Sequence, residues 1–174
     1  TGLYTRSEVG TVVRRMAMDI SRDLSECNPV VLCVMNGALV FTGQLLPELD
    51  FPLEFSYLQV SRYRNETTGS ELLWKMVPEL SLTSRNILII DDILDEGNTL
   101  SEIVAFCKQA GADSVYTAVL VNKKHDRKTL PGFRADYTGL SCIDRYIFGY
   151  GMDYKGYWRN APGIFALKES ALSG

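Results

Sequence analysis

The stretch Ile87-Leu88-Ile89-Ile90-Asp91-Asp92-Ile93-Leu94-Asp95-Glu96-Gly97-Asn98-Thr99-Leu100 restricts the fold of this chain more than any other. Four consecutive apolar residues, three of them β-branched, read as a strand buried on both faces, the pattern of a parallel sheet. An acidic segment, Asp91–Asn98, follows and reads as a loop. From Thr99 to Ala110 apolar residues recur at helical spacing, and Gly111 ends the run. Ser114 to Val121 then reads as a second strand. Strand, loop, helix and strand form a βαβ unit, whose crossover is right-handed.

The flanking segments extend this plan. Val9, Val12, Val13, Met16, Ile20 and Leu24 mark an amphipathic helix from Ser7 to about Ser25, with Ser7 as N-cap. Val30–Met35 is a second fully apolar strand. Asn36-Gly37-Ala38 leads from it into a helix reaching about Leu46. Phe51–Val60 reads as a strand, polar Ser61–Ser70 as an exposed loop, and Glu71–Met76 as a return strand. The C-terminal third, rich in Tyr and Gly, reads as short strands and loops packed as a cap. Thr1-Gly2 is given no structural weight. The expected architecture is α/β, a central mostly parallel sheet flanked by helices in one domain over residues 1–174. A ligand should sit beyond the carboxyl ends of its strands.

Composition excludes several classes. Hydrophobic residues make up 46% and charged residues 22%, ordinary for a packed domain. With 18 basic against 21 acidic side chains, the net charge is −3, which leaves no cationic excess for general nucleic-acid binding. No apolar run reaches the ~18 residues of a membrane span. No secretory leader pattern opens the sequence, and a cytoplasmic location is expected. Cys27, Cys33, Cys107 and Cys142 form no CxxC pair and read as small buried hydrophobes. The lone His125 does not complete a convincing metal set.

The acidic segment carries the chemistry. Asp91, Asp92, Asp95 and Glu96 place four carboxylates in six positions. Carboxylates this close repel one another unless a metal ion, sugar hydroxyls or a proton-transfer role compensates. Gly97-Asn98-Thr99 opens a helix whose first N–H groups are unpaired and attract anions. Acid cluster beside anion cradle points to a phosphorylated sugar; a solvated turn with a Thr cap is the plainer alternative. Neither a Walker GxxxxGK[ST] loop nor a GxGxxG fingerprint is present.

This segment resembles the diphosphoribosyl-binding motif of type I phosphoribosyltransferases. Three further segments are similar to hypoxanthine-guanine phosphoribosyltransferases and stand in that family's order. These are Leu120-Val121-Asn122-Lys123-Lys124, Tyr146-Ile147-Phe148-Gly149-Tyr150-Gly151-Met152-Asp153-Tyr154 and Tyr157-Trp158-Arg159. The resemblance implies transfer of ribose 5-phosphate from 5-phosphoribosyl 1-diphosphate to N9 of hypoxanthine or guanine, with Mg²⁺ as cofactor. It implies that Asp91 and Asp92 hold the ribose hydroxyls, directly or through Mg²⁺-bound water, and that Asp95 is the general base at purine N7. Asp95, Glu96, Gly97, Asn98 and Thr99 become the 5′-phosphate loop.

On the same resemblance Lys123 donates to purine O6, with Lys124 as the register alternative. Tyr146 stacks on the base, and Ile147 presents its backbone to the purine edge. Asp153 is counted with the purine-binding residues and ligates a second Mg²⁺ bound to pyrophosphate, so that Asp91, Asp92 and Asp153 form the metal set. Asn36, Gly37 and Arg159 face pyrophosphate, with a cis peptide expected at Asn36-Gly37. Arg62 and Tyr63 belong to a mobile flap. The resemblance also implies a homodimer or homotetramer, with no nucleic-acid or membrane partner.

Three positions depart from the family pattern. Glu96 stands where Thr is usual, Asn36 where Lys or Arg is common, and Arg62 where the flap carries Ser. Arg62 is therefore expected to supply a compensating charge on the pyrophosphate side when the flap closes. A non-catalytic sensor of the same sugar diphosphate is the competing reading. It would need a nucleic-acid surface, and Lys123-Lys124-His125-Asp126-Arg127-Lys128 reads instead as a solvated strand-end loop. A relative using xanthine or a pyrimidine is a third.

Overall fold

A computed structural model describes residues 1–65, 69–125 and 133–168. In chain order the elements are β1 (Gly2–Tyr4), α1 (Arg6–Leu24), β2 (Val30–Met35), α2 (Leu39–Leu45), β3 (Glu54–Asn65) and β4 (Gly69–Met76). They continue with β5 (Asn86–Leu94), α3 (Asn98–Gln109), β6 (Ser114–Lys124), β7 (Tyr137–Ile143), β8 (Ile147–Phe148) and β9 (Ile164–Ala166). The main sheet has the order β4-β3-β2-β5-β6-β7. Its strands are parallel except β4, which pairs antiparallel with β3 at the edge. A small antiparallel sheet, β1-β9-β8, packs its Ile147, Ile164 and Ala166 into the same core as α1 and α2.

The central strands are apolar throughout because both faces are covered. Val31, Cys33, Leu88 and Ile90 face α1 and α2, whereas Val30, Leu32, Ile87 and Ile89 face Leu100, Ile103 and Cys107 of α3. Alternate residues of one strand thus enter opposite layers. β2 runs through α2 to β3 on one side, and its neighbour β5 runs through α3 to β6 on the other. The two connections diverge from adjacent strands, and this opens a crevice at the carboxyl ends of β2 and β5.

Several local expectations are corrected. The N-cap of α1 is Thr5, not Ser7. Glu8 N donates to Thr5 Oγ1 at 3.2 Å and Thr5 N to Glu8 Oε1 at 3.1 Å, a reciprocal pair that Ser7 cannot form. Gly2 is not idle, because β1 pairs with β9 and the Thr1 amine donates to Ala166 O at 3.0 Å. Asp91 and Asp92 lie within β5 rather than in a loop, since β6 keeps pairing as far as Leu94↔Asn122.

The expected loop at Ser61–Ser70 is mostly strand. β3 and β4 pair through Arg62↔Leu72 and Tyr63↔Glu71 as far as Asn65↔Gly69. Tertiary packing overrides the polar composition there, with Trp74 of β4 lying on Phe106 of α3 at a 4.4 Å ring separation. β3 itself begins at Glu54, three residues after Phe51. The C-terminal third supplies more than short strands on a separate layer, because β7 joins the main sheet with Lys123↔Cys142 in register.

Candidate active site

A cleft of about 690 Å³ occupies the crevice. The ends of β2 and β5 form its floor. Asn36, Gly37, Arg62, Asp91, Asp92, Asp95, Glu96, Gly97, Asn98, Thr99, Asp153 and Arg159 all line it. Residues from five separate parts of the chain, singled out on sequence alone, therefore face one space. Lys75 of β4 and Gln59 of β3 line it too, and no sequence pattern marked either.

Asp91 is only 7% exposed and its Oδ1 accepts from Asp92 N at 2.9 Å. Burial pushes its carboxyl well above the ordinary carboxylate range, and the adjacent Asp92 charge pushes the same way. Asp92 Oδ1 accepts from Ile93 N at 2.8 Å. Among the described residues neither aspartate forms an ion pair. Two neighbouring hard oxygen donors without a protein cation fit a divalent ion held partly through water, or vicinal hydroxyl donors.

Gly37 closes against this pair. A Cβ there would stand 2.2 Å from Asp92 Oδ2, so only glycine admits the carboxylate. The cis peptide in this turn is Met35–Asn36, one bond earlier than expected. Asn36–Gly37 is instead a trans link in the turn before α2, with Leu39 N donating to Asn36 O at 3.1 Å.

Gly97 caps α3 in the left-handed region, at φ 93°, where a side chain would be strained. It turns the chain so that the α3 N-terminus meets the cleft. Thr99 Oγ1 accepts from Arg62 Nε at 3.2 Å. Glu96, the departure from the family pattern, is exposed.

Asp95 carries two neighbours. Lys123 Nζ lies 3.6 Å from its Oδ2, and His125 Nε2 contacts its Oδ1. The His125 side chain is only 5% exposed. Ligand atoms of Asp95, His125 and Asp144 all fall within 4.8 Å of one another, so His125 does complete a set of three possible donors. That set differs from the expected Asp91, Asp92 and Asp153. The Lys123 ammonium beside Asp95 opposes a second cation there, whereas among the described residues no cationic side chain pairs with Asp91 or Asp92. The strand-end position of His125 gave no sign of this contact, because the 30-residue separation is closed only by β5–β6 pairing.

The opposite wall comes from the C-terminal segment. Arg159 Nη1 donates to Gly151 O at 2.7 Å, and Nη2 lies 3.6 Å from Asp153 Oδ1. Tyr146 is 41% exposed and its OH donates to Asp153 O at 3.0 Å. Tyr154 meets the Tyr146 ring edge-on at 5.8 Å, leaving a face of the ring for another partner. Ile147 is buried in β8 opposite Ala166. Tyr146, Ile147 and Lys123 are outside the lining of the cleft itself; Tyr146 and Lys123 join it through Asp153 and Asp95. Lys124 is exposed. The backbone of Tyr63 belongs to β3, and its side chain lies outside the described residues, as do 126–128 of the basic run. All four cysteines are free.

Comparison with known proteins gives the family of the chain. Residues 3–155 match the family model described as the phosphoribosyl transferase domain. The chain is 33% identical over 168 residues to a hypoxanthine-guanine phosphoribosyltransferase of Bacillus subtilis, covering 95% of this chain and 92% of that protein. It is 31% identical over 171 residues to a hypoxanthine-guanine-xanthine phosphoribosyltransferase of Tritrichomonas foetus, with 98% and 93% covered. A crystal structure of a hypoxanthine phosphoribosyltransferase from Staphylococcus aureus superposes with a TM-score of 0.93 at 26% identity, over 100% of this chain and 94% of that one.

Proposed function

The chain belongs to the phosphoribosyl transferase domain family, and from that premise we propose that its cleft transfers a 5-phosphoribosyl group to a 6-oxopurine. The C1′–oxygen bond of 5-phosphoribosyl 1-diphosphate breaks, pyrophosphate leaves with the bonding pair, the N9 lone pair of the N7–H purine tautomer forms the new bond to C1′, and the N7 proton passes to the Asp95 carboxylate. The products are a nucleoside 5′-monophosphate and pyrophosphate.

Each group has a part in this reaction. Asp91 and Asp92 accept from the ribose 2′- and 3′-hydroxyls, and their charge favours a cationic ribosyl centre in the transition state. Asp91, Asp92 and, on the second wall, Asp153 would hold Mg²⁺, which would supply positive charge for the departing pyrophosphate. Asn36 and Gly37 face pyrophosphate from the floor, and Arg159 faces it from the wall. Backbone amides from Glu96 to Thr99, with the Thr99 hydroxyl, receive the 5′-phosphate.

Asp95 meets purine N7, and Lys123 donates to O6. An ammonium has donors only, so it accepts a 6-oxo group and disfavours a 6-amino group. Tyr146 covers one face of the base, and the Ile147 backbone borders its edge. His125, in contact with Asp95 Oδ1, holds that carboxylate in orientation.

The observation that carries this reading is the convergence on one cleft of two aspartates that form no ion pair among the described residues, a helix N-terminus, and Asp95 with Lys123 at 3.6 Å from its Oδ2. The test is a spectrophotometric assay with Mg²⁺, the sugar diphosphate and hypoxanthine, guanine, xanthine or adenine in turn. Turnover with hypoxanthine or guanine and none with adenine is expected. Asp95→Asn and Lys123→Ala should each lose at least about 100-fold in kcat/KM, the scale of positioned proton-transfer groups. Turnover with adenine alone, or with no base, would overturn the assignment.

A further inference from the structure

Arg62, one of the three departures from the family pattern, has contacts that no sequence pattern marks. Its Nε donates to Thr99 Oγ1 at 3.2 Å and its Nη2 pairs with Glu102 Oε2 at 2.7 Å. Both partners lie in the first turns of α3, so Arg62 is held beside the α3 N-terminus.

We propose that Arg62 is a ligand of the 5′-phosphate, the side-chain cation of an anion site built on the N-terminus of α3. This rests on the reading of the cleft as a phosphoribosyl site. Three observations carry it. Arg62 lines the cleft alongside Gly97, Asn98 and Thr99, the turn assigned to the phosphate. Its side chain is 27% exposed, so the guanidinium is partly desolvated and its charge is felt more strongly than at an open surface. A guanidinium also has five N–H donors, and Thr99 and Glu102 engage only Nε and one end of the fork. Donors therefore remain for an anion seated over Thr99, and the planar fork suits phosphate.

The local charge explains why such a residue is needed. Glu96 replaces a neutral hydroxyl residue in the turn, and Asn98 and Thr99 bring no charge. Among the described residues lining this turn, Arg62 supplies the cation beside the α3 N-terminus. The two departures at 62 and 96 are then one exchange: the turn gives up a hydroxyl and gains an acid, and the facing strand supplies a guanidinium. Glu102 acts as a positioning residue that holds Arg62 over the turn.

Calorimetric titration with guanosine 5′-monophosphate and with guanosine isolates the phosphate. The unsubstituted protein should bind the nucleotide far more tightly than the nucleoside. Arg62→Gln should weaken the nucleotide at least tenfold and leave the nucleoside within twofold, while Arg62→Lys should retain part of the preference. Equal loss of both ligands would show a merely structural residue, and an unchanged ratio would show no contact; either overturns the inference. Unsubstituted protein that binds neither ligand would overturn the phosphoribosyl reading itself, and the inference with it.

Discussion

Replacing Gly37 by alanine tests whether the position of one carboxylate sets the activity. The added Cβ would stand 2.2 Å from Asp92 Oδ2 and 2.7 Å from Asp92 Cγ, where ordinary contact begins at 3.4 Å. An overlap of about 1.2 Å must be relieved. The turn cannot retreat freely, because Gly37 O already lies where a Cβ on Gly151 would be 2.4 Å away. Asp92 must therefore swing by roughly 1 Å and give up its hydrogen bond from Ile93 N. That bond contributes about 0.5–1.5 kcal/mol. Displacing a reactant-holding group by this distance costs on the order of 100-fold in rate, about 2.7 kcal/mol.

Steady-state kinetics should accordingly show kcat/KM for the sugar diphosphate falling about 100-fold, with a fall in melting temperature of roughly 2–4 °C. Gly43→Ala is the matched control. It lies exposed in α2 with nothing within 4 Å of its added Cβ, and should gain about 0.5–1 kcal/mol of stability with activity unchanged. If Gly37→Ala keeps kcat/KM within threefold of the parent, the claim that Asp92 holds substrate from this position is refuted.

Asp91→Asn removes a buried charge that faces another, so in chelator its melting temperature should rise roughly 2–4 °C, about 1 kcal/mol, while turnover collapses. Differential scanning calorimetry showing a lower melting point would contradict this. Glu96→Thr should tighten 5-phosphoribosyl 1-diphosphate binding by up to about tenfold, one restored neutral hydrogen bond; an unaltered or weaker Kd argues against it. His125→Asn retains a donor for Asp95 and should keep much of kcat, whereas His125→Ala should lower kcat more than it raises the KM of the sugar diphosphate. Equal damage by both variants would deny His125 its positioning role. Burial pushes the Cys107 thiol up to about 11, and Cys33 and Cys142 are raised by the same cause. Thiolate is the reactive form, so native protein at pH 8 should take up iodoacetamide at Cys27 well before the other three, with all labelled on unfolding. Peptide mapping that finds Cys107 labelled as fast as Cys27 would refute the burial argument.

What the sequence revealed and what it concealed divide along a physical line. Val30–Met35 and Ile87–Ile90 were legible because a strand covered on both faces leaves no polar position to confuse the pattern. The cleft residues at the ends of these strands were legible because adjacent carboxylates are costly and need a purpose. The outer part of the fold was not. Polar Ser61–Asn65 became strand through pairing with β4, whose Leu72 and Trp74 pack in the layer of α3. Asp91 and Asp92 remained in β5 because β6 extends beyond the apolar run to pair with them. The contacts of Arg62 with Thr99 and Glu102 and of His125 with Asp95 span 30 to 40 residues, and no local spacing encodes them.

The placement of charge in the cleft makes a further argument. Arg62 stands at one end beside the α3 N-terminus, Arg159 at the other beside Asp153, and Asp91 and Asp92, in no ion pair among the described residues, lie on the floor along with Gly37. A cleft built for packing alone would not retain a buried carboxylate facing a second one, because an apolar pair of similar volume would stabilise the fold. A cleft built for a simple anion would not place two acids on its floor. Cations at both ends with acids on the floor complement a ligand whose ends are anionic and whose middle carries hydroxyls and acquires positive charge during reaction. Divergent connections from β2 and β5 bring these groups to one crevice, and the strain of the acid pair is the stability the fold gives up to hold them there.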